Sequence, residues 1–209
     1  MAAMTTGNAT GSPSRADANR RRILDVALAE LLRDPDASMD QIARAAGVVR
    51  RTVYGHFPNR EALISTLVDG ALETVAAAHA ASREGVGDPA EAVARSVLAV
   101  WEIADRYRLL VALAQRTVTV QGLRERLAPV RENSVRVLQR GLDEGVFTSP
   151  LPAPALAYVH EQILFALTEA VNDGLLDARE AGRSAAVTVL TAAGVPATRA
   201  AGLVAELGR

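Results

Sequence analysis

The sequence contains neither cysteine nor lysine. Without thiols there are no disulfides, no thiolate metal sites and no cysteine nucleophile. Without lysine there is no Schiff-base chemistry and no Walker-type phosphate loop, whose lysine is part of the motif. All 23 basic residues are therefore arginine. Aromatic residues amount to only 3%, while Ala, Leu, Val, Arg and Glu dominate. That balance favours helices over a β-sandwich. No run approaches 18 apolar residues, so no membrane span is expected. The N-terminal stretch MAAMTTGNATGSPS (residues 1–14) lacks the apolar core of a signal peptide and reads as a disordered tail on a cytoplasmic protein. The histidines, His56, His79 and His160, are too scattered for a metal-ligand motif, and neither Gly-x-Ser-x-Gly nor Gly-x-Gly-x-x-Gly occurs. No enzyme, no cofactor and no metal site is expected.

What is present is ordinary for a soluble globular chain: 49% apolar and 22% charged residues over 209 positions, enough for one large domain or two small ones. The formal net charge is −1, but nine arginines face seven acids in residues 1–66 and fourteen face seventeen in the rest. So slight an excess means that an anionic partner must be met by local geometry and not by bulk charge.

Helical spacing dominates the chain. Ile23, Ala27 and Leu31 form one i, i+4 row and Leu24, Leu28 and Leu32 the next, and Asp34-Pro35 closes that helix. Ser38 and Gln41 stand at capping-box spacing before Met39, Ile42, Ala43 and Ala46, and Gly47 stops the second helix. A third helix is expected from about Val49 to Phe57, ended by Pro58. Asn59 caps a fourth that runs to about Ala81. After the turn-rich Ser82–Pro89, further helical patterns cover 90–105, 107–120, 123–144, 154–173, 177–193 and 196–207, with breaks at Gly122, Phe147–Pro154 and Asn172–Asp177. The expectation is an all-α protein: a tail (1–14), a three-helix head (15–66) and a larger helical body (67–209).

The second and third helices, joined by a glycine turn, make a helix-turn-helix. On a wheel, Val49, Val53 and Phe57 form the inward stripe of the third helix. Arg51 and Gly55 lie opposite, with Arg50 and Tyr54 on one flank and Thr52 on the other. A major groove admits one helix; guanidinium groups bind guanine O6 and N7, threonine meets a base edge, and a tyrosine hydroxyl meets phosphate. His56 flanks the apolar stripe, where a structural hydrogen bond is as good a role as a DNA contact. Arg20, Arg21 and Arg22 form a charge run, either a solvated face or a reach toward phosphates. A surface helix of a protein-interaction module remains the alternative to DNA binding.

The segments SMDQIARAAGV and RTVYGHFPNREAL resemble the DNA-binding head of TetR/AcrR-type, tetracycline-repressor-like transcriptional regulators, over about residues 18–66. The resemblance implies a homodimer on a palindromic operator of double-stranded DNA and an all-helical body in which a small-molecule effector releases the DNA. It puts Ser38, Arg50, Arg51, Thr52, Tyr54 and His56 at DNA, Arg60 at phosphate, and the dimer interface on the last two long helices. One departure is Val49, where such proteins usually carry a capping serine or threonine.

In the body, Leu156, Val159, Ile163 and Leu167 line one face of the helix at 154–173, and Ala181, Ala185 and Val189 one face of the next. Small residues of this kind suit a four-helix bundle between two chains, and equally an intrachain core. Trp101, Tyr107, Gln115, Arg116, Thr119, His160 and Phe165 are candidate ligand contacts, being aromatic or polar positions among apolar helical rows.

Overall fold

The structure, a computed structural model, describes residues 15–114 and 120–208, with the backbone alone for 108–114 and 120–121. Its helices are α1 (Arg15–Arg33), α2 (Met39–Ala45), α3 (Arg50–His56), α4 (Arg60–Ala81), α5 (Pro89–Ala114), α6 (Val120–Arg126), α7 (Ala128–Asp143), α8 (Ala153–Asn172), α9 (Ala178–Ala192) and α10 (Ala197–Leu207). No strand occurs among the described residues. The chain divides into two compact units, one ending at Leu63 and the other beginning at Ile64. The expected tail lies outside the described residues.

In the first unit α1, with its row Ile23, Ala27 and Leu31 buried, packs on α2, where Ile42 and Ala43 are buried, and α2 packs in turn on α3, where Val53 is buried. The capping box at α2 is complete: the Ser38 Oγ accepts from the Gln41 N–H at 3.3 Å, and the Gln41 Oε1 accepts from the Ser38 N–H at 2.7 Å. Gly47 then takes φ +63°, the left-handed value that turns the chain into α3. Asn59 caps α4, its Oδ1 accepting from the Ala62 N–H at 2.8 Å.

In the second unit α5 packs on α9, α7 on α8 and α10 on α9. Two expected breaks are corrected. Residues 90–105 and 107–120 were read as separate helices, yet α5 is continuous from Pro89 to Ala114, because no glycine or proline interrupts it beyond its first residue. Conversely, 123–144 is divided at Leu127, two residues before Pro129, whose missing N–H and ring prevent the α6 ladder from continuing. Gly122, expected as a break, sits within α6. Among the described residues no helix is long and apolar enough to cross a membrane.

Close packing of the body depends on two helical glycines. A Cβ at Gly141 would fall 2.2 Å from the ring of Phe147, and one at Gly182 would fall 2.8 Å from Trp101 Cδ1. Phe147 and Trp101 are themselves buried, so neither ring has room to retreat. Gly202 in α10 is exposed and its Cβ position is open. We therefore expect opposite signs in thermal unfolding. Gly141→Ala should destabilise by about 1–3 kcal/mol, whereas Gly202→Ala should stabilise by about 0.5–1 kcal/mol through helix propensity.

Candidate nucleic-acid interface and ligand cavity

Burial of Val53 and Phe57, at 0% and 2% exposure, decides which way the rest of α3 points. Arg51 is exposed, and among the described residues no ion pair or hydrogen bond engages its side chain. Arg50 is exposed but tethered: it pairs with the Asp40 carboxylate at 2.9 Å, donates to the Tyr54 hydroxyl at 3.4 Å and stacks over the Tyr54 ring at 5.0 Å. An ion pair this exposed is worth at most about 1 kcal/mol, so a phosphate can replace the Asp40 carboxylate at little cost. The Asp40–Arg50–Tyr54 arrangement holds one arginine in place beside a free one. Tyr54 is exposed and Thr52 half-buried.

The other head residues divide by environment. The Ser38 hydroxyl is engaged in the capping box. His56 is half-buried, its ring centroid 6.2 Å from that of Phe57. Arg60 Nε donates to the Ala37 carbonyl at 3.1 Å, and a terminal nitrogen donates to the Pro35 carbonyl. Arg60 thereby ties the start of α4 to the α1–α2 loop, a structural role that the motif did not suggest. Arg21 is exposed on α1, while its neighbour Arg20 lies over the Phe57 ring at 5.4 Å. Val49, at the N-cap of α3, makes no side-chain cap and is 70% exposed, so it does not join Val53 and Phe57 in the inward stripe, which corrects that expectation.

The second unit holds a partly open cavity of about 170 Å³ with a mostly apolar lining contributed by α4 to α8. Tyr107, His160 and Phe165 line it, as expected for ligand contacts. Trp101 does not; it is consumed by core packing against Gly182, which corrects that expectation. Gln115, Arg116 and Thr119 lie outside the described residues. Missed from the sequence were His79, Arg83, Arg131, Ser134 and Glu161, all on the cavity wall. His79 stood in plain view as the one polar residue in the run Val75–Ala81. Its relevance depends on α7, which only the fold brings alongside.

Three polar arrangements mark the wall. Arg131 grips Glu161 through two bonds, 2.8 and 3.1 Å, and Arg124 approaches the same carboxylate at 3.6 Å while lying over the Tyr158 ring. Arg83 can only donate, so its 3.2 Å contact makes His79 Nδ1 an acceptor. Ser134 donates to the Val130 carbonyl at 3.0 Å, so the proton of His79 sits on Nε2, 3.0 Å from the Ser134 oxygen. His79 is thus neutral, and burial, aided by the Arg83 charge, lowers its pKa to about 4. His160 is likewise lowered to about 4 by burial, against the opposing effect of a hydrogen bond to the Val189 backbone; its Nε2 has no partner.

The expected dimer residues are in part corrected. Leu156, Ala181, Ala185 and Val189 have 0% exposure within one chain, packed between α5, α8, α9 and α10, so they have no surface to offer a second copy. Val159, Ile163 and Leu167 are half-buried.

Residues 23–67 match the family described as bacterial regulatory proteins, tetR family. The HTH-type transcriptional regulator EthR of Mycobacterium tuberculosis is 40% identical over 73 residues, 33% of this chain and 32% of that protein. The aligned part therefore spans about a third of the curated relative's length. In overall fold, the TetR-like regulator LfrR of Mycobacterium smegmatis, solved with proflavine, superimposes with a TM-score of 0.65 at 24% identity, covering 86% of this chain and 98% of that one. RolR, solved with resorcinol, gives 0.64 at 19% identity over 92% and 95%. These two likenesses establish the fold.

Two measurements follow from the site. A serine at position 49 supplies the missing cap, so Val49→Ser should raise the stability of the free protein by ~0.5–2 kcal/mol, read as a higher melting temperature. The histidines give a pH signature. Both bind protons less readily when folded than when unfolded, so their contribution is complete above about pH 6.5 and is lost as pH falls towards 4. The loss should reach roughly 3 kcal/mol per histidine, measured as a falling denaturant midpoint across that window and diminished by His160→Gln.

Proposed function

From a head that is that of the bacterial TetR-type regulators, we propose that this protein is a DNA-binding transcriptional repressor released from its operator by a small molecule. The observation that carries the reading is the outward face of α3, where an unpartnered Arg51 stands beside a tethered Arg50. Arg51 reads a guanine edge in the major groove, and Arg50, Thr52 and Tyr54 fix the register against phosphates and neighbouring bases. Arg21 and His56 lie at the margins of that contact, and the Ser38 cap shapes the turn that presents α3.

The mostly apolar cavity supports the ligand half of the reading, as do the proflavine and resorcinol found in LfrR and RolR. For a ligand to release DNA it must bind the DNA-free form better than the bound form. We infer a homodimer, which a palindromic operator requires. Its contact would use the half-buried residues Val159, Ile163 and Leu167 of α8, not the fully buried alanines of α9. A cytoplasmic location accords with a partner that is double-stranded DNA. The matched relatives are regulators, so no catalytic role is assigned.

The test is selection of binding sites from random duplex DNA by the purified protein. A palindromic site should be recovered, and Arg51→Ala should weaken it by roughly 1–3 kcal/mol, most at one guanine in each half-site. Its affinity should fall with log salt at about −0.9 per phosphate contact. Recovery of no site from a folded protein would instead mark the helix-turn-helix as a protein-interaction surface.

A further inference from the structure

The charges around the cavity are unequal. Glu161 is the one carboxylate on its wall among the described residues, and Arg131 already holds it through two hydrogen bonds. Arg83, on the same wall, has no carboxylate within ion-pair distance among the described residues. Its bonds go to uncharged groups: Nε to the His79 carbonyl at 2.9 Å, one terminal nitrogen to the Asn133 carbonyl at 3.2 Å, the other to His79 Nδ1 at 3.2 Å. A guanidinium carries five N–H groups, so two remain unused, one on each terminal nitrogen. Burial and the nearby Arg136 both push the Arg83 pKa down, as happens to a cation that lacks a counter-charge. The position is rigid, because Arg83, His79, Ser134 and the Val130 carbonyl form a chain of donors all running one way.

We propose that the cavity takes an amphipathic anion, with a carboxylate at the free N–H groups of Arg83 and an apolar body along Val93, Val97, Leu138 and Leu164. Neutral His79 does not compete for that carboxylate, since its proton is already directed at Ser134. The apolar wall takes up the rest of the molecule, and the Glu161 carboxylate is already taken by Arg131, with Arg124 at 3.6 Å, so it is not open to a cationic ligand. A planar carboxylate suits a guanidinium with one spare N–H on each terminal nitrogen, and a cationic ligand would find no free carboxylate on the described wall.

The inference rests on the effector reading above but is testable without DNA. Octanoate, 1-octanol and octylammonium are titrated calorimetrically into the full-length, DNA-free protein at pH 7.5. Octanoate should bind at least tenfold more tightly than either of the others. Arg83→Gln, which retains side-chain hydrogen bonding but removes the charge, should abolish that preference while leaving 1-octanol within about threefold of its original affinity. Equal binding of octanoate and octanol by the wild type, preference for the ammonium, or no binding of octanoate at millimolar concentration would each overturn the proposal, whether or not the variant folds. Persistence of the octanoate preference in folded Arg83→Gln would overturn it too. Operator affinity with and without octanoate is read separately. Tight octanoate binding that leaves DNA affinity unchanged would remove the effector role while leaving the anion site intact.

Discussion

A helix of seven residues does not hold itself together in water, and α2 and α3 are both of that length. They exist because α2 packs on both α1 and α3 and the apolar positions of the two short helices are buried, with Ile42 and Val53 at 0% exposure and Phe57 at 2%. Everything outward on α3 inherits its direction from those contacts. Arg51 has no structural partner because the opposite side of the same short helix is wholly engaged. The supporting polar bonds are local: the Ser38–Gln41 box, the left-handed Gly47, and Arg60 reaching the carbonyls of the α1–α2 loop. A recognition surface of this kind is stiff without a large core, which suits a part that must meet a rigid partner in one register.

The body answers a different constraint. With few aromatics, it fills its core with alanine, valine and leucine, and the large rings it has are seated against glycine, Trp101 on Gly182 and Phe147 on Gly141. Trp101 on Gly182 brings α5 close to α9, while residues of α4 to α8 line the cavity. Polar groups on an apolar wall must be matched or neutral. The wall shows each solution: a paired carboxylate at Glu161, neutral histidines at 79 and 160, and at Arg83 a cation with hydrogen bonds but no counter-charge. That last imbalance is what makes the cavity chemically selective and not merely apolar.

Reading the chain as a string recovered the head well and the body unevenly. The capping box, the glycine turn, the proline stop and two of the three inward positions of α3 are encoded within a few residues, so Ser38, Gly47, Val53 and Phe57 were legible in the sequence, while Val49, expected inward, is exposed. In the body the same periodicity gave the helical class but neither every boundary, since α5 is continuous and the chain breaks at Leu127, nor the helices' neighbours. The alanines of α9 looked equally suited to a second chain, and only their complete burial beneath α5, α8 and α10 shows where they belong. Trp101 looked like a ligand contact because an isolated tryptophan among apolar rows does, until Gly182 is found beneath it.

What the sequence alone determined is therefore whatever depends on separations of four residues or fewer: the helical periodicity, the caps and turns of the head, and the exposed set Arg50, Arg51 and Tyr54. What only the tertiary structure decided are the pairings across long separations. Asp40 with Arg50, Arg60 with Pro35 and Ala37, His79 with Ser134, and Arg131 with Glu161 join positions from 10 to 55 residues apart. Local pattern is set by the 3.6-residue repeat of a helix and survives in any context. A charge or lone pair, by contrast, acquires its role from whichever group packing brings within about 3 Å, and no spacing along the chain records that distance.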